Sequence, residues 1–370
     1  MRPAFSSTGQ AGAFTLLLLV LLLLPALVGK SLLPPRSDIY ASMPWRYAPI
    51  GFLHQQIFEE KSDIDIAFVG SSRLWAGIDT PYVQKALSDK LGRQAVVLTM
   101  GWAWLGFDGE YFIAQDLLQN RKVKMIVFDD EYRGDDVAHA AAPYWFRFGD
   151  DAEALEGMPA RLRMSYYFAA IVGMPRNLLG MVRSSIPEAP PSVEKLRWAN
   201  VMHSQNSNER LGALTVERGI NPEEPFTEFT PQTGAQPTDV SLYSKATEAK
   251  FRVVGPPTNP WQLQFAKKFA ALAKENGCKL VFLHLNPVYS SNETNNPLIE
   301  EREPWNTVLN ADVTMMGIPP RRLYSGIGGE DFKKLFYTAD FFHYNKNGQK
   351  YFTPLITPTL VRLYETTENR

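Results

Sequence analysis

The chain has a single cysteine in 370 residues, Cys278, so it can form no intramolecular disulfide and offers no Cys/His spacing of the zinc-ribbon kind. That scarcity does not exclude an oxidising compartment, because a domain of this size is stable without disulfides. Cys278 precedes the run Lys279-Leu280-Val281-Phe282-Leu283 and reads as a small buried residue at the start of a strand. Charge of one sign is also lacking. Lys and Arg number 38, Asp and Glu 39, and no dense basic stripe is present, so nothing draws the chain to nucleic acid. Histidines are few, and His54, His139 and His203 have no partners that the sequence suggests. No repeat of solenoid period occurs. No metal and no cofactor are expected.

What is present begins with one uncharged apolar segment, Ala11 to Val28, containing the unbroken run Leu16 to Leu24. At about 1.5 Å per residue it nearly spans a hydrocarbon core of about 30 Å. Arg2 precedes it and Lys30 follows, which sets orientation only weakly. The reading is a short tail (1–10), a transmembrane signal-anchor (11–30) and an extracytoplasmic body, periplasmic if the source is Gram-negative. A cleaved signal peptide is the competing reading, since Pro25-Ala26-Leu27-Val28-Gly29 carries small residues. Either way the body is exported.

Residues 31–61, with four prolines, read as a connector holding a short helix near Gln55–Glu60. A strand-helix rhythm follows. Strands are expected at Ile64–Val69, Ala95–Met100 and Val123–Phe128, each nearly all apolar as parallel strands covered on both faces require. Thr80-Pro81 reads as a helix cap and first turn, and a further helix covers about Asp108–Asn120. The rhythm stops over 133–255, which reads as a mainly helical and irregular insertion or lid, with one helical stretch from Asp151 to Arg183. Within it, Ser165–Val182 is apolar apart from Arg176 and Asn177, as a core helix of the insertion or an interfacial helix would be. The rhythm resumes with Asn259-Pro260 capping a helix, a strand at Lys279–Leu285, a helix near Glu301–Asn310, a short strand at Arg322–Tyr324 and a last helix at Gln349–Tyr364. Alternating strands and helices predict a three-layer α/β/α domain with a mostly parallel sheet, formed by 62–132 and 256–370.

Two distant segments supply the parts of an activated nucleophile. Ile66 to Val69 runs into Gly70-Ser71-Ser72-Arg73, presenting a serine at a strand's carboxyl end. Asp340-Phe341-Phe342-His343-Tyr344-Asn345 places a carboxylate three residues before a histidine. Serine as attacking oxygen, histidine as base and aspartate as its orienter form the usual acyl-transfer set.

These segments resemble the SGNH/GDSL hydrolase superfamily, whose first block is Gly-Asp-Ser after strand one and whose last is Asp-x-x-His near the C-terminus. The resemblance covers about Asp63–Tyr132 and Asn259–Tyr364. It implies a flavodoxin-like fold, Ser72 as nucleophile (Ser71 replacing the aspartate), His343 as base and Asp340 as its orienter. For the second-block oxyanion glycine, Gly101 directly follows a strand, with Gly106 as the other candidate. The third block normally carries Gly-x-Asn; here it reads Asp129-Asp130-Glu131-Tyr132, and an ionised carboxylate cannot donate to an oxyanion. Ser71, Arg73 and Tyr132 are the remaining oxyanion or binding candidates. Arg73 either meets an anionic sugar or pairs with Asp129 or Asp130. Trp102 and Trp104, together with Trp75, His284 and Asn286, are candidates for lining the cleft. With one anchor, degenerate middle blocks and a large insertion, the chain most resembles membrane-anchored polysaccharide O-acetyltransferases, alginate O-acetyltransferases among them. The resemblance implies an exported glycan as substrate and a multispanning membrane acyltransferase as acyl donor. An esterase or deacetylase and a non-catalytic glycan-binding scaffold are the alternatives.

Overall fold

The computed structural model describes residues 5–27, 35–42, 50–101, 106–132, 139, 152–168, 253–254, 257–285, 305–310, 313–318, 323–324, 327, 331–332, 334–336 and 344–368. The uncharged N-terminal segment forms helix α1, Thr8–Leu27. Its apolar side chains face outward, Leu16 to Val20 being 45–63% exposed. Side chains of α1 are described as far as Val20. Among the described residues no helix is long and apolar enough to cross a membrane.

The connector forms two short helices, α2 (Arg36–Ser42) and α3 (Ile50–His54), the second running on as a π-turn over Gln55–Glu59. Then the strands begin: β1 (Ile64–Gly70), β2 (Val97–Gly101) and β3 (Val123–Asp129), separated by α4 (Ser72–Gly77), α5 (Thr80–Leu91) and α6 (Phe107–Asn120). A two-residue strand β4 (Glu131–Tyr132) pairs antiparallel with β5 (Val253–Val254), so the two ends of the intervening segment meet. Within that segment the described residues include a 3-10 turn at Ala152–Leu155 and a helical stretch over 160–168. The rest of the expected insertion, Pro175 and the proline-rich link included, lies outside the described residues. α7 (Pro260–Glu275), β6 (Lys279–His284), β7 (Thr314–Gly317) and α8 (Lys346–Glu368) complete the body.

The main sheet is wholly parallel, in the order β2-β1-β3-β6-β7. All seven residues of β1 are buried, because helices cover both faces. Alternation along the strands divides the apolar interior in two. Ala67, Val69, Ile126, Phe128 and Phe282 face α6 and α7, where Phe128 packs 4.5 Å from Phe269 and 5.2 Å from Phe107, ring centre to ring centre. Ile66, Phe68, Met125, Val127, Val281 and Leu283 face α4, α5 and α8. Each such buried side chain contributes roughly 1.5–3 kcal/mol. The domain is therefore a three-layer α/β/α sandwich.

Three details differ from expectation. The fifth strand of the main sheet is Thr314–Gly317 and not Arg322–Tyr324; Leu323 and Tyr324 are buried, the one helical and the other in a turn. Four residues centred on two methionines carry no β-branched run to announce a strand. Gly317 is required there, since a β-carbon would stand 2.8 Å from that of His284 on the neighbouring strand. α5 is capped by Asp79, whose carboxylate accepts the Tyr82 N–H at 3.3 Å, one residue before the expected Thr80. Finally, a short helix, α4, follows β1 at once, where no element was expected.

Candidate active site

In a doubly wound sheet, ligands bind beyond the carboxyl ends of the strands where the chain reverses its direction of winding. Here that crevice lies between β1 and β3, because β2 is laid down on one side of β1 and β3 on the other. Gly70-Ser71-Ser72 and Asp129-Asp130 stand at this point.

Ser71 is the N-cap of α4, its oxygen accepting the Arg73 N–H at 3.3 Å. Its hydroxyl donates to Asp129 Oδ2 at 2.7 Å and its own N–H donates to the same oxygen at 3.1 Å. Both donors of Ser71 are thus committed to a carboxylate, which is a capping and anchoring geometry rather than that of an oxyanion donor. The arrangement also explains Gly70. A β-carbon there would stand 2.9 Å from Leu74 Cδ2 and 3.0 Å from Asp129 Oδ2. Ser72 occupies the first position of α4, where backbone N–H groups without helical partners and the positive end of the helix dipole favour developing negative charge. Its side chain is not described. Gly101, the glycine expected to serve an oxyanion, pairs in register with Gly70, one strand away and one residue short of Ser71.

The next residue of the third block turns the other way. Asp130 Oδ2 lies 2.8 Å from Nδ1 of His284 at the end of β6, and both side chains are fully buried. Arg73, 5% exposed, reaches from the first turn of α4 to the Leu285 carbonyl. Asp129 accepts from Ser71, and Asp130 meets His284. His284 is accordingly part of the floor beneath the crevice and not an exposed wall. Sequence reasoning noticed the two aspartates as a departure from a pattern. Their partners depend on strand order, which no local signal carries.

Asp340, His343, Asn286, Trp102 and Trp104 lie outside the described residues, and of Tyr132 only the backbone, within β4, is described. The neighbour of His343 is described, however. Tyr344 is buried, its hydroxyl 2.6 Å from that of Tyr324, and its ring approaches α4: a β-carbon on Gly77 would be 3.5 Å away. Asn345 caps α8, its Oδ1 accepting the N–H groups of Asn347 at 2.8 Å and Gly348 at 3.2 Å. Gly348 leaves room for the Leu335 carbonyl and the Tyr344 ring, each 2.3 Å from where a β-carbon would be. The Asn and Gly that follow the histidine in the chain are therefore explained by the start of α8.

A second buried polar group lies where α6 begins, after β2. Asp108 Oδ2 accepts the His139 N–H at 2.6 Å. Burial pushes the Asp108 carboxyl up to about 6, against the lowering effect of its backbone hydrogen bonds. The ring of His139 packs on Gly109, 3.0 Å from a β-carbon placed there. Sequence reading had found no partner for His139. Among the described residues no group of acidic, His and Cys side chains is arranged to hold a metal ion.

Comparison of the chain with protein-family models, with curated proteins and with solved structures returns no match.

Proposed function

We propose that this protein is an extracytoplasmic serine O-acyltransferase of SGNH type, passing an acyl group, acetyl being the expected one, to a hydroxyl of an exported polysaccharide. The observation that supports this best is the place of Ser72. It is the first residue of a helix that begins at the carboxyl end of β1, at the reversal point of a parallel sheet, with Gly101 across the adjacent strand. The packing of Tyr344 against α4 adds to it, since Tyr344 directly follows His343 in the chain.

In this reading Ser72 Oγ attacks the donor's acyl carbonyl and gives its proton to His343, whose imidazole Asp340 orients. The donor's leaving group departs with that proton, leaving an acyl-serine ester. A sugar hydroxyl then passes its proton to His343 and attacks the same carbonyl. Ser72 leaves, recovers the proton, and one ester has been exchanged for another. Oxyanion stabilisation falls to the backbone N–H groups of Ser72 and Gly101, because those of Ser71 and Arg73 are committed and the acidic third block offers no amide donor. Water in place of the sugar makes the same site an esterase.

α1 belongs to this reading as a membrane anchor. A helix apolar around its circumference and exposed along its described length needs a non-aqueous environment or a partner. A multispanning acyltransferase in the same membrane would be the acyl donor.

The test uses the full chain in detergent micelles with p-nitrophenyl acetate, intact mass spectrometry, and oligosaccharide acceptors added or withheld. An acetyl adduct on Ser72, absent in Ser72→Ala and slowed in His343→Ala, is the expected result. Faster discharge to sugar than to water identifies a transferase, and the reverse an esterase. A folded wild-type protein that forms no adduct would favour a glycan-binding scaffold.

A further inference from the structure

Three interactions link the carboxyl ends of the central strands in a closed circuit. Ser71 to Asp129 joins β1 to β3, and Asp130 to His284 joins β3 to β6. Arg73 to the Leu285 carbonyl returns from the end of β6 to the first turn of α4. Ser72 sits between two members of the circuit, Ser71 and Arg73. Every side chain in it is at most 5% exposed, so none of them is offered to a substrate. The most closely held point is Asp129, whose Oδ2 receives two hydrogen bonds from Ser71 and lies against the only kind of residue, glycine, that position 70 can accommodate.

We propose that Asp129 is the positioning residue of the site: by gripping both donors of Ser71 it sets where β1 ends and α4 begins, and so where the Ser72 oxygen stands. This rests on the reading of Ser72 as the nucleophile. It gives the acidic third block a purpose. The residue that cannot donate to an oxyanion instead fixes the peptide before the nucleophile, and a buried carboxylate accepting two hydrogen bonds is a stiffer clamp than a neutral acceptor. Displacing a reacting atom by about 1 Å can cost about 100-fold in rate. Holding Ser72 from the preceding residue therefore has a large effect without any contact to substrate.

The experiment measures Ser72 acylation in the full chain in detergent, by p-nitrophenol release and intact mass, with KM and the limiting rate separated. Asp129→Ala should lower the limiting acylation rate by about 100-fold and change KM by less than about threefold. Asp129→Asn, whose amide oxygen can accept both Ser71 bonds, should return the rate to within about fivefold of wild type. Ser71→Ala keeps the N–H bond and loses the hydroxyl bond, and should fall between, at about tenfold. An Asp129→Ala rate equal to wild type overturns the proposal, and so does an Asp129→Asn variant as slow as Asp129→Ala, since placement would then not be what the carboxylate supplies. If Asp129→Ala does not fold, Ser71→Ala decides: full activity there refutes the clamp. Wild type that forms no Ser72 adduct removes the nucleophile and the clamp together, whereas an adduct insensitive to these substitutions removes the clamp alone.

Discussion

Asp65 places a carboxylate second in β1, at the opposite end of the sheet from Ser72, and it is almost wholly enclosed. Arg93 holds both its oxygens, at 2.6 and 2.9 Å, the Val96 N–H donates at 2.8 Å, and the Tyr364 hydroxyl completes the set. Burial alone would raise its pKa. The bonds from Arg93, Tyr364 and Val96 outweigh burial and bring it below the ordinary 3.8. A depressed folded value means that the carboxylate stabilises the fold fully above the unfolded pKa, and that this is lost as pH falls through the folded one. Thermal unfolding should show the wild-type midpoint dropping below about pH 4. Asp65→Asn should lower the midpoint at pH 6, by about 1–3 kcal/mol of stability, and flatten the acid limb. An acid limb identical in the variant would assign the lability elsewhere. Gly70→Ala is a second expectation at this scale. Its β-carbon meets Leu74 and Asp129, so it should cost about 1–3 kcal/mol in denaturant unfolding and slow Ser72 acylation in parallel. Single residues were the least legible part of the sequence. Asp129, Asp130 and His284 are each visible there, but their pairing follows from which strands are neighbours.

Among elements, α8 is fastened to the body at its first turn. Asn345 also donates through Nδ2 to the Lys334 carbonyl at 2.9 Å and the Phe336 carbonyl at 2.8 Å, so one side chain caps the helix and pins the turn at Lys334–Phe336. Asn345→Ala should cost about 0.5–2 kcal/mol in equilibrium unfolding, with Asn345→Asp recovering the capping share alone. Gly348→Ala should be harsher, since the displaced Tyr344 adjoins His343; acylation should fall together with the unfolding midpoint, and a variant stable yet fully active would refute that link. β1, β3 and β6 were readable because strands covered on both faces become unbroken apolar runs. Asn259-Pro260 was readable as the start of α7 because cap and first-turn proline are local chemistry. α4 was not, since six residues are too few to display a helical period. The cap of α5 was misplaced by one residue because Asp79 and Thr80 are both good caps, and only the folded geometry separates them.

For the molecule as a whole, the layered architecture follows from strand and helix alternation, while no described side chain of α1 belongs to either apolar core. The full chain should float with phospholipid vesicles and resist alkaline carbonate extraction. Leu18→Lys combined with Leu22→Lys should abolish both, and flotation unchanged in that variant would mean that another surface holds the membrane. The connector beyond α1 is fastened as well. Arg36 Nε lies 2.9 Å from Asp116 Oδ1 and its guanidinium stands 5.4 Å over the Phe112 ring, while the Tyr40 hydroxyl donates to Asp116 Oδ2 at 2.9 Å. α2 is thereby fixed to α6, and the chain between Leu27 and Arg36 can extend no further than about 30 Å. With α1 in a bilayer, as the proposed function requires, the body would work on a short leash. It would diffuse in two dimensions, and as the proposed transferase it would serve only those glycan strands that pass within a few nanometres of the membrane surface.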